Sequence, residues 1–584
     1  MRQKSVREQG KYNRRLDMDT ELMYIRKLCK KTLACEKSLL ELTTYDNVAM
    51  WWIRDIQFYY FIKNAISNDI SAKSNHHKIF MMLYKTFRFH IEFFFYIEFL
   101  YDLSLKFLIR AISRLLGKHD QSEEKSKSKI LFVATDNEWR FVRDYETNKL
   151  KKSDAIFDSI ITKNNRYNFL GVYPIELPTI RGLKIFVDKL RIWDIIHKPL
   201  NLYWSLEVWK KERNAFKHFK KSWNCLKDDE GFKKMCICNG KDLSNQILKE
   251  LEIYFLFLFP RAVKYIEMGR EMIKAEKPVL ILLQNEYGSN ERCYLVVAAN
   301  LENIPTLAVQ HGVIHPTHAG YMYAKDEISP EGSVKSPYCP IPDKTAVYGT
   351  YHKDILTKVS AYPEDSVVVT GQPRYDILYH ADKIYDKEKF IKKYKINPDH
   401  KIILWTTQCH GLSEEENIKN FKAVFETMRN LKDVTLVIKQ HPGEGRRYTK
   451  MIGKYLNKYK LNAVVMPKDS DTYEQIFVCD LMMTRHSTTA MEAVALNKPV
   501  IILNLSGEPD PVDYVKEGVA LGVYKEEDLK PTIERLLKDD SELAKNRKRY
   551  IEKYLYKIDG KATERVVKLI GEMIEESKRK KNGN

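Results

Sequence analysis

From Lys129 onward the chain alternates short apolar runs with helical patterns, and this alternation limits the fold more than any other feature. "KILFVAT" (Lys129–Thr135), "VLILLQN" (Val279–Asn285) and "TLAVQHG" (Thr306–Gly312) begin with apolar runs that carry no alternating polar residues. Strands of that kind are buried on both faces, as in a parallel sheet. A second series follows with "KIILWTTQ" (Lys401–Gln408), "VTLVIKQHP" (Val434–Pro442), "AVVMP", "DLMMT" and "PVIILNL" (Pro499–Leu505). Helical patterns lie between them, at "SNERCYLVVAANLEN", near 414–430, near 446–459 and from about Ser487. Strand–helix–strand units cross over right-handedly, so an α/β chain with two Rossmann-like parallel-sheet domains facing a cleft is expected.

The turn-rich span near 378–400 divides the two series, giving expected domains at 129–385 and 390–575. Residues 1–120 have another texture, helical and aromatic-rich, as in "YDNVAMWWIRDIQFYYFIKN". The polar run "GKHDQSEEKSKSK" (Gly117–Lys129) reads as the linker. At 584 residues the chain exceeds what one core supports.

Ile79–Leu116 is intensely apolar, but Lys85, Arg88, Glu92, Glu98, Asp102 and Lys106 interrupt it. Its charge-free stretches fall short of the about 20 residues a spanning helix needs. A core helix is the first expectation and an interfacial amphipathic helix the second. The N-terminus is basic without a following apolar stretch, so no signal peptide is expected. Nine scattered cysteines without a CxxC pair point to reduced thiols. The net charge of +20 fits an anionic neighbour, be it nucleic acid, membrane surface or phosphorylated substrate, and equally a lysine-rich compositional bias.

Ligands of open α/β sheets bind beyond the carboxyl ends of the strands, so the residues at those ends are informative. They are Asp136, Glu138 and Arg140, then Asn285, Glu286 and Gly288, then His311 and Gly312, then Lys439 and His441, and finally Arg485 to Thr489. In "TRHSTTAMEAVALNKPVIILNL" a strand ends at Thr484 and a helix begins at Ser487–Thr489. Its free N–H groups, the hydroxyls of Ser487, Thr488 and Thr489, and the cations Arg485 and His486 suit a phosphate. Glu492 could hold a ribose; alternatively Thr489 and Glu492 form a capping box that needs no ligand. "IKQHPGEGRR" places Lys439, His441, Arg446 and Arg447 at another strand end, where His441 could donate to a departing phosphate or simply cap the next helix. Neither GxGxxG nor GxxxxGK[ST] occurs, which speaks against a dinucleotide oxidoreductase and a P-loop NTPase. RNA-recognition, KH and zinc-finger patterns are absent too, so no nucleic-acid partner is expected. His311, His315 and His318 share one loop with Gly312 and Pro316 and no nearby carboxylate or cysteine. That disfavours a metal, and His311 stands out as the residue to mutate.

The order "QHG", "GQPRYD" (Gly371–Asp376), "KQHP" and "HSTTAMEAVALNKPVI" resembles the GT-B glycosyltransferase superfamily. Within it, the similarity is to surface-polysaccharide enzymes: bacterial sialyl- and Kdo-transferases, CDP-glycerol glycerophosphotransferases and UDP-N-acetylglucosamine 2-epimerases. The similarity spans about 275 to 545 and excludes the first 120 residues. It implies a GT-B-like fold whose C-terminal half binds a nucleotide-activated donor and whose N-terminal half binds the acceptor. By the sialyltransferase pattern His441 and Ser487–Thr489 would bind the donor phosphate, and Glu492 the ribose. By the glycerophosphotransferase pattern His311 would be the base. "TRHSTTAMEA" stands where the epimerases carry Arg-Glu-Thr-Glu-Arg-Pro-Glu, which weakens that alternative.

The expected activity is therefore metal-independent transfer of a sugar from a UDP-, CMP- or CDP-linked donor to a surface-glycan or lipid-linked acceptor. Its alternatives are glycerophosphotransfer from CDP-glycerol, an epimerase-like reaction, or a basic membrane- or RNA-binding protein. His311, His441 and Glu286 are the catalytic candidates. Arg374, Lys439, Arg485, His486, Ser487, Thr488, Thr489 and Glu492 are the donor-binding ones. No cofactor and no metal are expected, since no DxD sequence is evident. A cytoplasmic location with possible peripheral contact to an anionic membrane completes the reading.

Overall fold

A computed structural model describes residues 20–67, 91–116, 127–136, 138–144, 146–173, 180–191, 195–287, 291–409, 412–441, 443–461 and 463–582. The apolar runs become two parallel sheets. The first holds β1 (Lys129–Val133), β2 (Asn168–Tyr173), β3 (Ile196–Pro199), β4 (Leu280–Leu283), β5 (Thr306–Val309), β6 (Lys344–Val347) and β7 (Val367–Val369). The second holds β8 (Lys401–Thr406), β9 (Val434–Lys439), β10 (Ala463–Val465), β11 (Leu481–Thr484), β12 (Val500–Leu503) and β13 (Leu521–Val523). Their orders are β7-β6-β5-β4-β1-β2-β3 and β10-β9-β8-β11-β12-β13, all pairings parallel. In each sheet the winding reverses beside its first strand, between β1 and β4 and between β8 and β11. A crevice beyond the carboxyl ends follows at each reversal.

Both faces of each sheet are covered, and the period of two along each strand divides the residues between them. In the first sheet Leu131, Val133, Ile281, Leu283 and Ala308 join one core while Ile130, Phe132, Leu280, Leu282, Leu307 and Val309 join another. In the second, Ile403, Trp405, Leu436, Ile438, Leu481 and Met483 oppose Ile402, Leu404, Val437 and Met482 in the same way.

The aromatic N-terminal stretch shares the first of these cores. Helices α1 (Thr20–Lys30), α2 (Trp51–Ser67) and the start of α3 (Ile91–Leu116) pack with α4 (Leu206–Leu226) and α5 (Phe259–Glu276) over one face of the first sheet, while Leu105 and Ile109 of α3 join the core on the other. Arg26 pins them: it pairs with Asp55 at 3.0 Å and lies 4.8 Å from the rings of both Trp52 and Tyr323. Of the apolar segment 79–116 only α3 is described; residues 79–90 and 117–126 lie outside the described residues. Among the described residues no helix is long and apolar enough to cross a membrane.

The short α6 (Thr489–Ala495) follows β11, and after the second sheet comes α7 (Ala562–Asn582). It returns to the other face of the first sheet, where Val566, Leu569, Ile570, Met573 and Ile574 complete the core. Its start is fixed by the crossover sequence "GQPRYD". The Asp376 carboxylate accepts from the N–H groups of Ala562 and Thr563, both at 2.8 Å. Gly371, at φ +77°, lets the chain approach α7 so closely that a Cβ there would lie 3.3 Å from that of Ala562. Arg565 closes the contact by donating to the Thr370 carbonyl at 2.6 Å. Asp376→Ala leaves two helix-start donors without their acceptor and is expected to cost about 2 kcal/mol. Thermal unfolding should show a clear drop for Asp376→Ala and a smaller one for Asp376→Asn; an unchanged midpoint in both would mean that α7 docks without this cap.

Candidate active site

The crevice of the second sheet is built around Gln408, two residues past β8. Its side-chain oxygen accepts from the His486 N–H at 2.7 Å and from the Thr484 hydroxyl at 3.3 Å. The loops after β8 and β11, either side of the winding reversal, are thereby tied together. Thr406 and Thr489 meet through their hydroxyls at 3.2 Å. Ser487 accepts from the Thr489 N–H at 3.2 Å, and its carbonyl accepts from Tyr514 at 2.9 Å. A cavity of about 20 Å³, room for a water, lies against Gln408, Asn417, Thr484 and Arg485. Arg485 Nε has no hydrogen-bond partner among the described residues. Burial lowers the pKa of its guanidinium, while Glu416, Asp510 and Glu508 pull the other way.

The next loop along, after β9, is held by Glu444. Its carboxylate accepts from the Thr407 hydroxyl and the Cys409 N–H, both at 2.8 Å. His441 sits exposed on this loop, one strand away from the crevice, with Nδ1 accepting from the Gly443 N–H at 3.1 Å. Lys439 is buried and directs its ammonium at the carbonyls of Pro467 (3.3 Å) and Lys468 (2.5 Å). Burial pushes its pKa down to about 8. Lys439 thus anchors the segment after β10, while Arg446 and Arg447 are exposed.

Glu492, on α6, forms no capping box. The helix N-cap Thr488 makes no side-chain cap bond, and the Glu492 carboxylate pairs with Arg374 of the crossover at 3.6 Å. The local capping pattern loses to a buried tertiary ion pair. Burial raises the pKa of Glu492 to about 7 despite the nearby Arg374 and Arg140 guanidinium groups. Arg140 belongs to the hairpin Trp139–Arg143/Leu150–Asp154 that follows β1. In the same hairpin Arg143 reaches Asp471 of the second half at 2.7 Å, and Asp471 also accepts from Tyr385 at 3.0 Å.

On the first sheet, His311 follows β5, its Nδ1 3.5 Å from the Asn285 amide nitrogen beyond β4. Gln310 fixes the loop: its amide donates to the Gly312 carbonyl (2.7 Å) and its side-chain oxygen accepts from the Tyr348 N–H (2.8 Å). The Gln310 carbonyl accepts from the Gln372 amide at 2.8 Å, so "QHG" and "GQPRYD" touch. Glu286 is buried and accepts from the Tyr362 hydroxyl at 2.8 Å. His318 packs between Tyr287 and Tyr321, with ring centroids 4.8 and 5.0 Å away, and burial takes its pKa down to about 4. His315 bonds Thr317 at 2.8 Å and lies within the field of Asp513 from the second half. Among the described residues no group of three His, Cys, Asp or Glu side chains is placed to hold a metal.

The structure thus gathers Arg485, His486, Ser487, Thr488 and Thr489 at one crevice and His311 at the other, with Arg374 and Glu492 joining the halves. It sets His441 on the rim, and Lys439 and Glu286 behind the loops. Sequence reasoning passed over Gln408, although that residue ends the quoted run "KIILWTTQ". It also passed over Arg143 and Tyr514; no local pattern marks a residue whose partner lies far along the chain.

Two doubly wound parallel sheets, a crossover between them and a terminal helix returning to the first make a GT-B-type architecture. The model of the CDP-glycerol:poly(glycerophosphate) glycerophosphotransferase family matches residues 233–572, more than half of the chain, and the chain belongs to that family. It is 26% identical over 215 residues to the processive diacylglycerol beta-glucosyltransferase of Bacillus licheniformis, covering 35% of this chain and 52% of that protein. It is 26% identical over 157 residues to the teichoic acid poly(ribitol-phosphate) polymerase of Bacillus spizizenii, covering 26% of this chain and 24% of that protein. The chain therefore spans about half or less of the length of these curated relatives. Among solved structures it is similar to UDP-GlcNAc 2-epimerase from Neisseria meningitidis bound to UDP-GlcNAc, with TM-score 0.45, 15% identity, and 77% of this chain and 100% of that one covered. It is also similar to the wall teichoic acid polymerase TagF, with TM-score 0.44, 11% identity, and 82% and 98% covered.

The Glu492 environment gives a pH test. The fold holds the Glu492 proton up to about 7, against an ordinary value of 4.5. Between those values the native state binds more protons than the unfolded chain, so the stability present at low pH is lost as pH rises through 7. Glu492→Gln removes that loss. Its melting temperature relative to wild type should rise between about pH 5 and about pH 8; a pH-independent difference would place an ionised Glu492 in the fold throughout.

Proposed function

We propose that the chain transfers a sugar from a nucleotide-activated donor to a surface-glycan or lipid-linked acceptor, without a metal, in the cytoplasm. The observation that carries this is the second-sheet crevice. There Gln408 holds the Thr484–Thr489 loop open beside Arg485, whose Nε has no protein partner among the described residues. In the reaction the acceptor hydroxyl attacks the anomeric carbon, and the bond from that carbon to the donor phosphate breaks. Its electron pair ends on the phosphate oxygen, and the hydroxyl proton passes to His311. Arg485 and His486 stand where the departing phosphate gains charge, supplying the stabilisation that a cation would otherwise give. Arg374 neutralises Glu492, which we propose meets the ribose. His441 borders this region and can donate to the leaving group. Glu286 and Asn285 set the floor beneath His311.

The family to which the chain belongs favours a second reading, in which glycerophosphate moves from CDP-glycerol. The hydroxyl would then attack phosphorus, the P–O–P bond would break, and CMP would leave from the same crevice. The donor tells the two apart: separate incubations with UDP-sugars, CMP-sugars and CDP-glycerol show which donor is consumed.

Two measurements test the shared core of both readings. At a hundredfold excess over Kd, one of UDP, CDP, CMP or GDP should add about 2.7 kcal/mol of stability. Arg485→Ala should abolish that gain; stabilisation by none of the four nucleotides would remove the nucleotide reading. His311→Gln should keep the gain and lower kcat by about 10²–10⁴-fold, with EDTA leaving the wild-type rate unchanged. A full rate in His311→Gln would move the base elsewhere.

A further inference from the structure

The small cavity beside Gln408 has an apolar side, given by Phe421 and Leu503, and a polar side, given by Asn420, Thr484 and Arg485. Most of the polar groups around it are already engaged. Gln408 accepts from the His486 N–H and the Thr484 hydroxyl. Asn417, on the helix Glu414–Arg429, donates to the carbonyls of Cys409 (3.0 Å), Leu412 (3.3 Å) and Ser413 (2.9 Å) and so fixes the start of that helix. Two atoms are not engaged. Asn420, nearly one turn after Asn417, carries a buried Oδ1 with no hydrogen-bond partner among the described residues, and the buried Nε of Arg485 is the other. One is an acceptor and one a donor, and both side chains line the same cavity of about 20 Å³. Thr484 and His486, on either side of Arg485, are both tied to Gln408. The backbone beneath the guanidinium is thus held, while its Nε meets no protein group.

We propose that one buried water bridges Asn420 Oδ1 and Arg485 Nε, and that Asn420 is thereby the residue that positions Arg485 for the donor phosphate. This deepens the proposed function and rests on Arg485 meeting that phosphate. A cavity of this volume takes one water, and a water needs two to four polar partners. Nε–H donates to it, it donates to Oδ1, and the Thr484 hydroxyl lies in the same wall. Left unmet, the two buried groups would each carry a desolvation penalty that the water removes. Held at Nε, the planar guanidinium keeps one orientation, and its two Nη groups form the fork that receives an anion. The neutrality of the amide matters here. A carboxylate in its place would hold the guanidinium by cancelling the charge the leaving phosphate needs, whereas the Asn420 oxygen orients the cation and leaves its charge intact.

Crystal structures of the full chain and steady-state rates test this together. The wild type should show one ordered water within about 3 Å of both atoms. Asn420→Leu, similar in size but without an acceptor, should displace it and release the Arg485 guanidinium from its place. That variant should melt no lower than wild type, its methyl groups meeting Phe421 and Leu503, yet turn over about tenfold more slowly. Asn420→Asp keeps an oxygen at the position and should retain the water and most of the rate. In an Arg485→Ala background Asn420→Leu should cost nothing further, because both changes act through one guanidinium. A dry cavity in the wild type, an unmoved guanidinium or a full rate in Asn420→Leu, or the same tenfold loss in the Arg485→Ala background would each overturn the proposal. If no nucleotide donor is turned over, the transfer reading fails, and the position of the guanidinium in the two crystals decides the matter alone.

Discussion

The Asp376 carboxylate and the two N–H groups it receives from Ala562 and Thr563 hold together parts of the chain almost two hundred residues apart. Around that contact three more residues of "GQPRYD" have tasks of their own. Gly371 yields room to α7, Gln372 grips the carbonyl of Gln310, and Arg374 meets Glu492. First sheet, second sheet and last helix therefore converge on six consecutive residues. Each bond is worth little alone, but they share one rigid loop, so loosening one shifts the geometry of the others.

The sheets were legible because burial on both faces demands uninterrupted apolar runs, and β1, β4, β5, β8, β9, β11 and β12 all carry them. Strands β6, β7 and β13 were harder to see: "KTAV", "VVV" and "LGV" are too short for a period to emerge. The motif order pointed to the fold, but why "QHG" and "GQPRYD" belong together is visible only in the Gln310–Gln372 bond. Glu492 illustrates the opposite case. Its spacing from Thr489 invited a local cap, and an arginine more than a hundred residues earlier in the chain took the carboxylate instead. Gln408 gave no signal, because the residues it ties lie at and just past the end of β11, far along the chain.

Burial of charge runs through the molecule as a positioning device. Arg26 between Trp52 and Tyr323, Lys264 among the carboxylates of Glu98, Asp102 and Glu212, and Arg374 against Glu492 each fix helices at a point where apolar packing alone would permit sliding. Such pairs add little net stability, since desolvation offsets attraction, but breaking one leaves an uncompensated buried charge. Their value lies in specifying a single arrangement.

The division of labour between the sheets gives the joint its functional weight. The proposed base, His311, hangs from the first sheet; the groups proposed to receive the departing phosphate hang from the second. Neither crevice contains both. The distance between them is set by Arg143 on Asp471, by Arg374 on Glu492 and by the crossover itself. Two of those ties involve carboxylates whose charge a ligand can compete for. A ribose hydroxyl accepted by Glu492, or a phosphate approaching Arg374, alters the same pair that spaces the halves. On the proposed donor site, binding and cleft geometry would be coupled through one ion pair, and the energy available to that coupling would be bounded by what the pair itself contributes.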